Sequence, residues 1–380
     1  MLKKVLNFAV KSPVTITRTP SRSFGADHKD FDEKKAQDPK TSDYYMKLEW
    51  DHGCHNYHPL PVTLSKAKGC EVWDVEGKKY LDFLAAYSAV NQGHCHPKIL
   101  KAMQEQSEKL TLTSRAFYND QLGLWEQYLT KTFGYEKALC MNTGVEAGES
   151  GIKLARRWAY RVKKVPDNKA KVLFAKNNFW GRTLAACASS DDPGRYLQFG
   201  PFDMNFELID YGDANALETA LKADPNIAAF MVEPIQGEAG VVIPPAGYLR
   251  KVRELCTKYN VLLICDEVQT GLGRTGKLLA VEHENVRPDI VLLGKALSGG
   301  VYPVSAILCD DIIMMTIQPG DHGSTYGGNP LACAVGRAAL DVLFEEKLVE
   351  NSARLGEVLL NALKEVKKDF IQDVRGKGLF

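Results

Sequence analysis

In Ile290-Val291-Leu292-Leu293-Gly294-Lys295-Ala296-Leu297-Ser298-Gly299-Gly300 an apolar, strand-like run delivers a lysine into a glycine-rich turn. A surface charge is poorly placed there. Twenty-nine positions earlier, Asp266 closes a second such run, Val261-Leu262-Leu263-Ile264-Cys265, and Glu267 follows it. Short apolar runs bounded by turn signals read as buried strands. In an open α/β sheet, ligands sit beyond the carboxyl ends of the strands, so Lys295 and Asp266 face one crevice. A lysine able to form a Schiff base, beside an acid able to keep a pyridinium nitrogen protonated, suits pyridoxal phosphate. The same two charges also make an ordinary ion pair, because ion pairs populate clefts too. From this pair alone both readings stay open.

Further strand candidates flank these two: Ala138 to Met141, Val172 to Ala175, Ala228 to Val232 and Val304 to Leu308. Gly144 to Val162 and Tyr248 to Tyr259 are the clearest helices between them, and Leu340 to Leu363 is helical again. Strands alternating with helices predict an α/β fold with a mainly parallel sheet covered on both faces. Before it, Val62 to Lys66, Cys70 to Val75 and Lys79 to Phe83 read as short strands, with Glu76-Gly77 as a hairpin turn. No internal repeat is visible.

The 380 residues suffice for a large core and two domains. A net charge of +1 supplies no global field for nucleic acid or an anionic membrane. No apolar stretch reaches bilayer-spanning length, so neither partner is expected. Nine cysteines without a Cys-x-x-Cys pair suggest free thiols in a reducing compartment. Residues 1–26 differ from the rest. Lys3, Lys4, Lys11, Arg18 and Arg22 lie among many hydroxyls with no acid before Asp27. Leu2, Val5, Leu6, Ala9 and Val10 recur at helical spacing, the pattern of a mitochondrial presequence and hence of a matrix protein. Residues 27–43 are charged and aperiodic, and read as a linker or loose arm.

Asn142-Thr143-Gly144-Val145-Glu146-Ala147-Gly148-Glu149 follows a strand and opens a long helix. Exposed N–H groups at such an end attract a phosphate, although a plain start with Thr143 as N-cap fits equally. In Phe179-Trp180-Gly181-Arg182-Thr183, an aromatic ring can stack on a pyridine and an arginine can clamp a carboxylate. A hydrophobic corner with a surface arginine fits as well. Glu233 and Glu238, in a Pro/Gly loop after Val232, face either a cationic substrate or solvent, and solvent is the simpler reading. Gly271-Leu272-Gly273-Arg274-Thr275-Gly276-Lys277 opens like a phosphate-binding P-loop, but Leu278 stands where a Ser or Thr is needed. His52, Cys54, His55 and His58, with His94-Cys95-His96, match no standard zinc spacing, so no metal is expected.

With these pieces assembled, the chain from about Tyr44 to Phe380 resembles the subgroup III, fold-type I pyridoxal-phosphate aminotransferases, and within them the ornithine aminotransferases. The carriers are His55 to Pro61, Tyr87 to Pro97, Asn142 to Glu149, Asn178 to Arg182, Glu233 to Gly240, Asp266 to Gly271, Leu293 to Gly300 and His322 to Pro330. The resemblance implies a large domain, 85–335, with a seven-stranded sheet flanked by helices. It also implies a small α+β domain built from both chain ends, 44–84 and 336–380. It implies that Lys295 carries the cofactor covalently and later moves a proton, while Asp266 pairs with the pyridine nitrogen. Gly144 and Val145 would hold the phosphate, joined by Ser324 and Thr325 of a neighbouring subunit, so at least a homodimer is expected. Phe179 would stack on the ring and Gln269 would bond near its phenolic oxygen.

In the ornithine aminotransferases, residues matching Tyr57, Tyr87 and Arg182 hold the amino-acid end of ornithine, so that the δ-amine reaches the cofactor. The 4-aminobutyrate and acetylornithine aminotransferases lack that full set. Glu238 matches a glutamate that masks a second carboxylate-binding arginine. The expected reaction passes the δ-amine of ornithine to 2-oxoglutarate, giving glutamate 5-semialdehyde and glutamate. Activity on 4-aminobutyrate or acetylornithine is the alternative. The resemblance further implies strands and helices beyond Phe380 that carry the masked arginine. On that expectation, a cofactor-binding protein with impaired catalysis is a second alternative.

Overall fold

A computed structural model describes residues 29–366 and 368–380, and the basic presequence-like start lies outside them. Three short strands, β1 (Leu64–Lys68), β2 (Glu71–Asp74) and β3 (Lys79–Leu81), form a small sheet in that order. Seven more make the main sheet: β4 (Lys137–Met141), β5 (Lys171–Ala175), β6 (Phe206–Ile209), β7 (Ile227–Val232), β8 (Leu262–Asp266), β9 (Ile290–Leu293) and β10 (Ser305–Cys309). Their order is β4-β10-β9-β8-β7-β5-β6, and only β10 runs against its neighbours. The mainly parallel α/β sheet expected from the alternating pattern is present. Contacts divide the chain into two compact units. One takes the described residues up to Lys66 with Trp73–Lys79; the other takes Ala67–Val72 and Tyr80–Phe380.

Every residue of β7, β8 and β9 is buried, as a parallel sheet covered on both faces requires. Alternation still sorts them by face. Leu263, Cys265, Val291 and Leu293 join one apolar cluster, while Leu262, Ile264, Ile290 and Leu292 join another. Each such side chain contributes about 1.5–3 kcal/mol through burial. This rigid slab holds the strand ends in fixed register. Asp266 on β8 lies opposite Leu292 on β9, three residues before Lys295.

One expectation needs correction. Residues 340–363 are not one helix: Pro330–Glu345 and Leu348–Glu365 are separated at Lys347, which adopts φ +53°. No glycine or proline marks that break, and packing explains it. The second helix lies so close to the Gly271–Lys277 turn that a methyl group on Gly276 would sit 2.8 Å from Ala353 Cα. The glycines of the P-loop-like stretch thus admit a helix at close range. The described part of the charged arm, from Lys29 on, contains a short turn at Lys35–Gln37. Thr41 caps the helix Ser42–His52, and Glu76 Oε1 accepts the Ser42 N–H at 2.6 Å. Strand β6 went unseen because its pattern is only half-buried and it sits at the sheet edge. Among the described residues, no helix is long and apolar enough to cross a membrane.

Candidate active site

Because β5, β7, β8 and β9 run parallel, and β4 shares their direction through antiparallel β10, their carboxyl ends meet at one edge. Asp266 ends β8, Glu233 follows β7, and Lys295 follows β9 across Gly294. Asn142 follows β4 and leads into the helix Gly144–Trp158. Val268 fastens these ends together. A methyl group at Gly144 would lie 2.8 Å, and one at Gly294 3.2 Å, from its Cγ1. The lysine, the acid and the helix N-terminus therefore lie together at this edge.

Burial sets the electrostatics. It pushes the Lys295 amine below the ordinary lysine range, against the opposing pull of Asp266, Glu238 and Glu233. It pushes the Asp266 carboxyl up to about 6, against the Val268 N–H bond and the Lys295 charge. Asp266 Oδ1 accepts that N–H at 2.9 Å. Glu233 is raised further, to about 8, by burial and by the negative charge of Asp266. Its Oε1 accepts the Phe179 N–H at 3.0 Å and its Oε2 the Gly237 N–H at 3.1 Å. Glu233 thus ties two loops to the crevice, which corrects the reading that it faces solvent.

A testable consequence follows for the cofactor-stripped protein. A carboxyl raised from 4.5 to about 8 binds more protons folded than unfolded between those values. The stability it supports is complete below about 4.5 and is lost as pH rises through about 8. Glu233→Gln removes that titration, and any lost hydrogen bond adds only a pH-independent offset. The melting temperature of the variant, relative to its parent, should therefore climb between pH 4.5 and 8. A flat difference across that window would contradict the raised carboxyl.

At the helix start, Thr143 and Glu146 form a reciprocal capping box. The Glu146 carboxylate also accepts the Thr143 N–H at 2.7 Å and the Asn142 Nδ2 at 3.0 Å. Gly144 and Val145, the first two helical residues, keep N–H groups that have no intrahelical acceptor. The N-cap reading is correct and leaves room for an anion beside it. Over this helix folds the Phe179–Thr183 loop. A methyl at Gly148 would collide with Trp180, and one at Gly181 with Val145, at 2.5 and 2.2 Å. Trp180 is buried, stacks on Phe174 and donates Nε1–H to Ser189 Oγ at 2.8 Å. Phe179 stays half-buried, with the Arg182 and Arg195 guanidinium carbons 5.6 and 4.8 Å from its ring centre. Arg182 is exposed.

The other candidates divide. Gln269 lies against Gly237 so closely that any side chain there would occupy its amide. Glu238 is exposed yet lies within the field of Lys295. Ser324 Oγ accepts from Asn142 Nδ2 at 3.0 Å within the same chain, next to the helix start, and Thr325 follows it. Tyr87 sits in an unusual turn: Ala85, Ala86, Tyr87 and Ser88 have φ of 50°, 46°, 57° and 72°. Non-glycine residues pay about 1–2 kcal/mol each for left-handed geometry, so the surroundings must hold it. That turn packs on the segment Lys295–Ser298. Tyr57, in the first unit, is exposed at the mouth of a cavity of about 300 Å³ lined by Trp50, His55 and Leu60.

The histidines serve locally. His55 stacks on Trp50, His58 pairs with Asp30, His94 with Asp82 and His96 with Glu346. All nine cysteines are unpaired. Glu233 is the functional candidate that pattern reading assigned to solvent. The available signal was an acid directly after an all-apolar strand, the position Asp266 holds after Cys265.

Comparison with known proteins places this geometry. The model of the class-III aminotransferases matches residues 53–380. A probable mitochondrial ornithine aminotransferase of Caenorhabditis elegans is 67% identical over 340 residues, which is 90% of this chain and 80% of that protein. The mitochondrial ornithine aminotransferase of Rattus norvegicus is 63% identical over 91% of this chain and 79% of its own length. Among solved structures, the ornithine aminotransferase of Toxoplasma gondii, with partial occupancy of PLP at its active site, superposes with a TM-score of 0.88. It is 53% identical over 89% of this chain and 80% of that one. With its lysine, buried acids and capped helix gathered at the carboxyl edge of the sheet, the chain belongs to the class-III aminotransferases.

Proposed function

We propose that the chain is a pyridoxal-phosphate-dependent ornithine δ-aminotransferase, passing the terminal amine of ornithine to 2-oxoglutarate. The observation that carries this reading is the convergence of Lys295, Asp266 and Glu233 in one buried crevice, in a chain so similar to proteins of that name. The donor set fits the cofactor. Only one Asp266 oxygen accepts a hydrogen bond among the described residues, which suits a buried carboxylate awaiting a cationic ring nitrogen. The unshared N–H groups of Gly144 and Val145 suit a phosphate. When bound, the group supplies an electron sink that makes a neighbouring C–H acidic.

Each residue then has a task. Lys295, its amine kept poorly charged by burial, anchors the cofactor and transfers a proton at Nζ. Phe179 covers one face of the ring and Gln269 bonds at its edge. Tyr87 and Arg182 hold the α-amino acid end, so that the δ-amine points inward. Glu238, a carboxylate in the field of Lys295, masks the second carboxylate-binding arginine that the resemblance implies while ornithine is bound. Ser324 and Thr325 serve the phosphate of a second copy, and exposed Phe83, Phe117 and Tyr118 support burial in such a homodimer. The mitochondrial names of the relatives and the basic, acid-free start support a mitochondrial matrix location.

L-Ornithine deuterated at Cα tests the chemistry. Transfer of the δ-amine retains the label in the cyclised product, pyrroline-5-carboxylate, whereas loss of the label would place the reaction at Cα and overturn the proposal. Tyr87→Ile is expected to lower kcat/KM for ornithine at least about tenfold against 4-aminobutyrate, the effect of one lost polar contact. Unchanged selectivity would reduce Tyr87 to packing.

A further inference from the structure

Tyr87 stands in a turn that its own residues disfavour, because four consecutive non-glycine residues take left-handed geometry. Something outside the turn must hold it, and side chains on both flanks do so. At the entry, Asp82 Oδ1 accepts the N–H groups of Leu84 and Ala85, each at 2.8 Å. Asp82 Oδ2 lies 2.7 Å from His94 Nε2, and both side chains are largely buried. His94 is fixed in turn by reciprocal backbone bonds with Gly69, at 3.0 and 2.8 Å. A cation, the Arg274 guanidinium, also lies in the field of Asp82. At the exit, Arg274 Nε donates to Asn91 Oδ1 at 3.1 Å. Gln92 Nε2 donates to the carbonyl of Ala296, the residue after Lys295, at 3.0 Å. The exit is therefore locked to the lysine segment, while the entry depends on the Asp82–His94 clamp.

We propose that Asp82 and His94 are positioning residues which hold the left-handed turn and so aim Tyr87, setting the preference for substrates with an amino-acid end over simple ω-amino acids. This rests on the reading that Tyr87 contacts the substrate. The clamp touches neither the lysine nor the phosphate cup, so its loss acts on Tyr87 and spares the cofactor. His94 keeps the second Asp82 oxygen occupied, and removing it frees the carboxylate to leave the two turn amides.

The test compares kcat/KM for ornithine and for 4-aminobutyrate in the holoenzyme variants Asp82→Asn, His94→Ala and His94→Gln. Asp82→Asn keeps an oxygen for the turn but loses the charge that strengthens those bonds and the acceptor that faces His94; it and His94→Ala are expected to cut the ornithine preference about tenfold, with the cofactor absorbance retained. His94→Gln keeps an N–H donor and should recover part of the loss. In a Tyr87→Ile background Asp82→Asn should leave the preference where Tyr87→Ile put it, because the clamp has nothing left to aim. Equal losses on both substrates, or an Asp82→Asn effect undiminished by Tyr87→Ile, would overturn the proposal. Should Asp82→Asn fail to fold, the two His94 variants decide alone, since they keep the Asp82 carboxylate itself and remove only the group that holds its second oxygen. If Tyr87→Ile keeps the parental preference, the reading of Tyr87 falls and the aiming role with it. If Tyr87→Ile shifts the preference and the clamp variants do not, the clamp alone is refuted.

Discussion

Lys295→Ala is expected to bring transamination down by at least about a thousandfold, because on the proposed function it removes the covalent anchor and the proton-transfer group together. General base catalysis alone is worth roughly 10²–10⁴. The residue is suited to both roles by its place. It follows a fully buried strand and takes φ +44°, and burial holds its amine below the usual lysine range. Cofactor retention should fall less than turnover, since Gly144 and Val145, the proposed phosphate holders, lie on a separate helix start. Borohydride reduction of the parent protein followed by peptide mapping should label Lys295. A label on Lys153 or Lys176 instead, or turnover surviving in the variant, would remove Lys295 from the mechanism.

The strands that build the site were legible because a parallel sheet buried on both faces leaves long apolar runs. Ile290 to Leu293 and Val261 to Cys265 could hardly be anything else. Edge strand Phe206–Ile209 carries exposed Glu207 and paired with only one neighbour, so its signal was diluted. The break at Lys347 was invisible for a different reason. Its cause is the close approach of the following helix to the glycine turn around Gly276, a contact between segments more than seventy residues apart.

For the site, charges at strand ends were readable and charges in loops were not. Asp266 and Lys295 announce themselves by following apolar runs. Glu233 does the same, but the proline and glycines after it suggested an exposed loop, and only packing shows its oxygens bonded to Phe179 and Gly237. The left-handed turn at Tyr87 had no local signature, because Ala85-Ala86-Tyr87-Ser88 lacks the glycine or asparagine such geometry normally calls for. It is imposed from outside by Asp82 and the residues beyond Val90.

Asp266→Asn is expected to act in opposite directions on activity and on stability. In the parent protein the carboxyl is buried and raised to about 6 from 3.8, so above that pH the folded, cofactor-free chain carries an ionised group against a desolvation cost. Because the folded value lies above the unfolded one, the stability linked to it is complete below about 3.8 and is lost as pH rises through about 6. Asparagine keeps an oxygen for the Val268 N–H and carries no charge. The stripped variant should therefore match its parent near pH 4 and melt at a higher temperature at pH 8. Activity should move the other way. On the proposed pairing of Asp266 with the cofactor's ring nitrogen, losing the carboxylate would cost about 2–5 kcal/mol, which is roughly 30- to several-thousand-fold in kcat/KM. Asp266→Glu restores the charge but displaces it by one methylene, and should recover part of the activity without the stability gain. A variant that lost stability at pH 8 and kept its turnover would mean that Asp266 is an ordinary partner of Lys295, the bland alternative with which the two strand ends began.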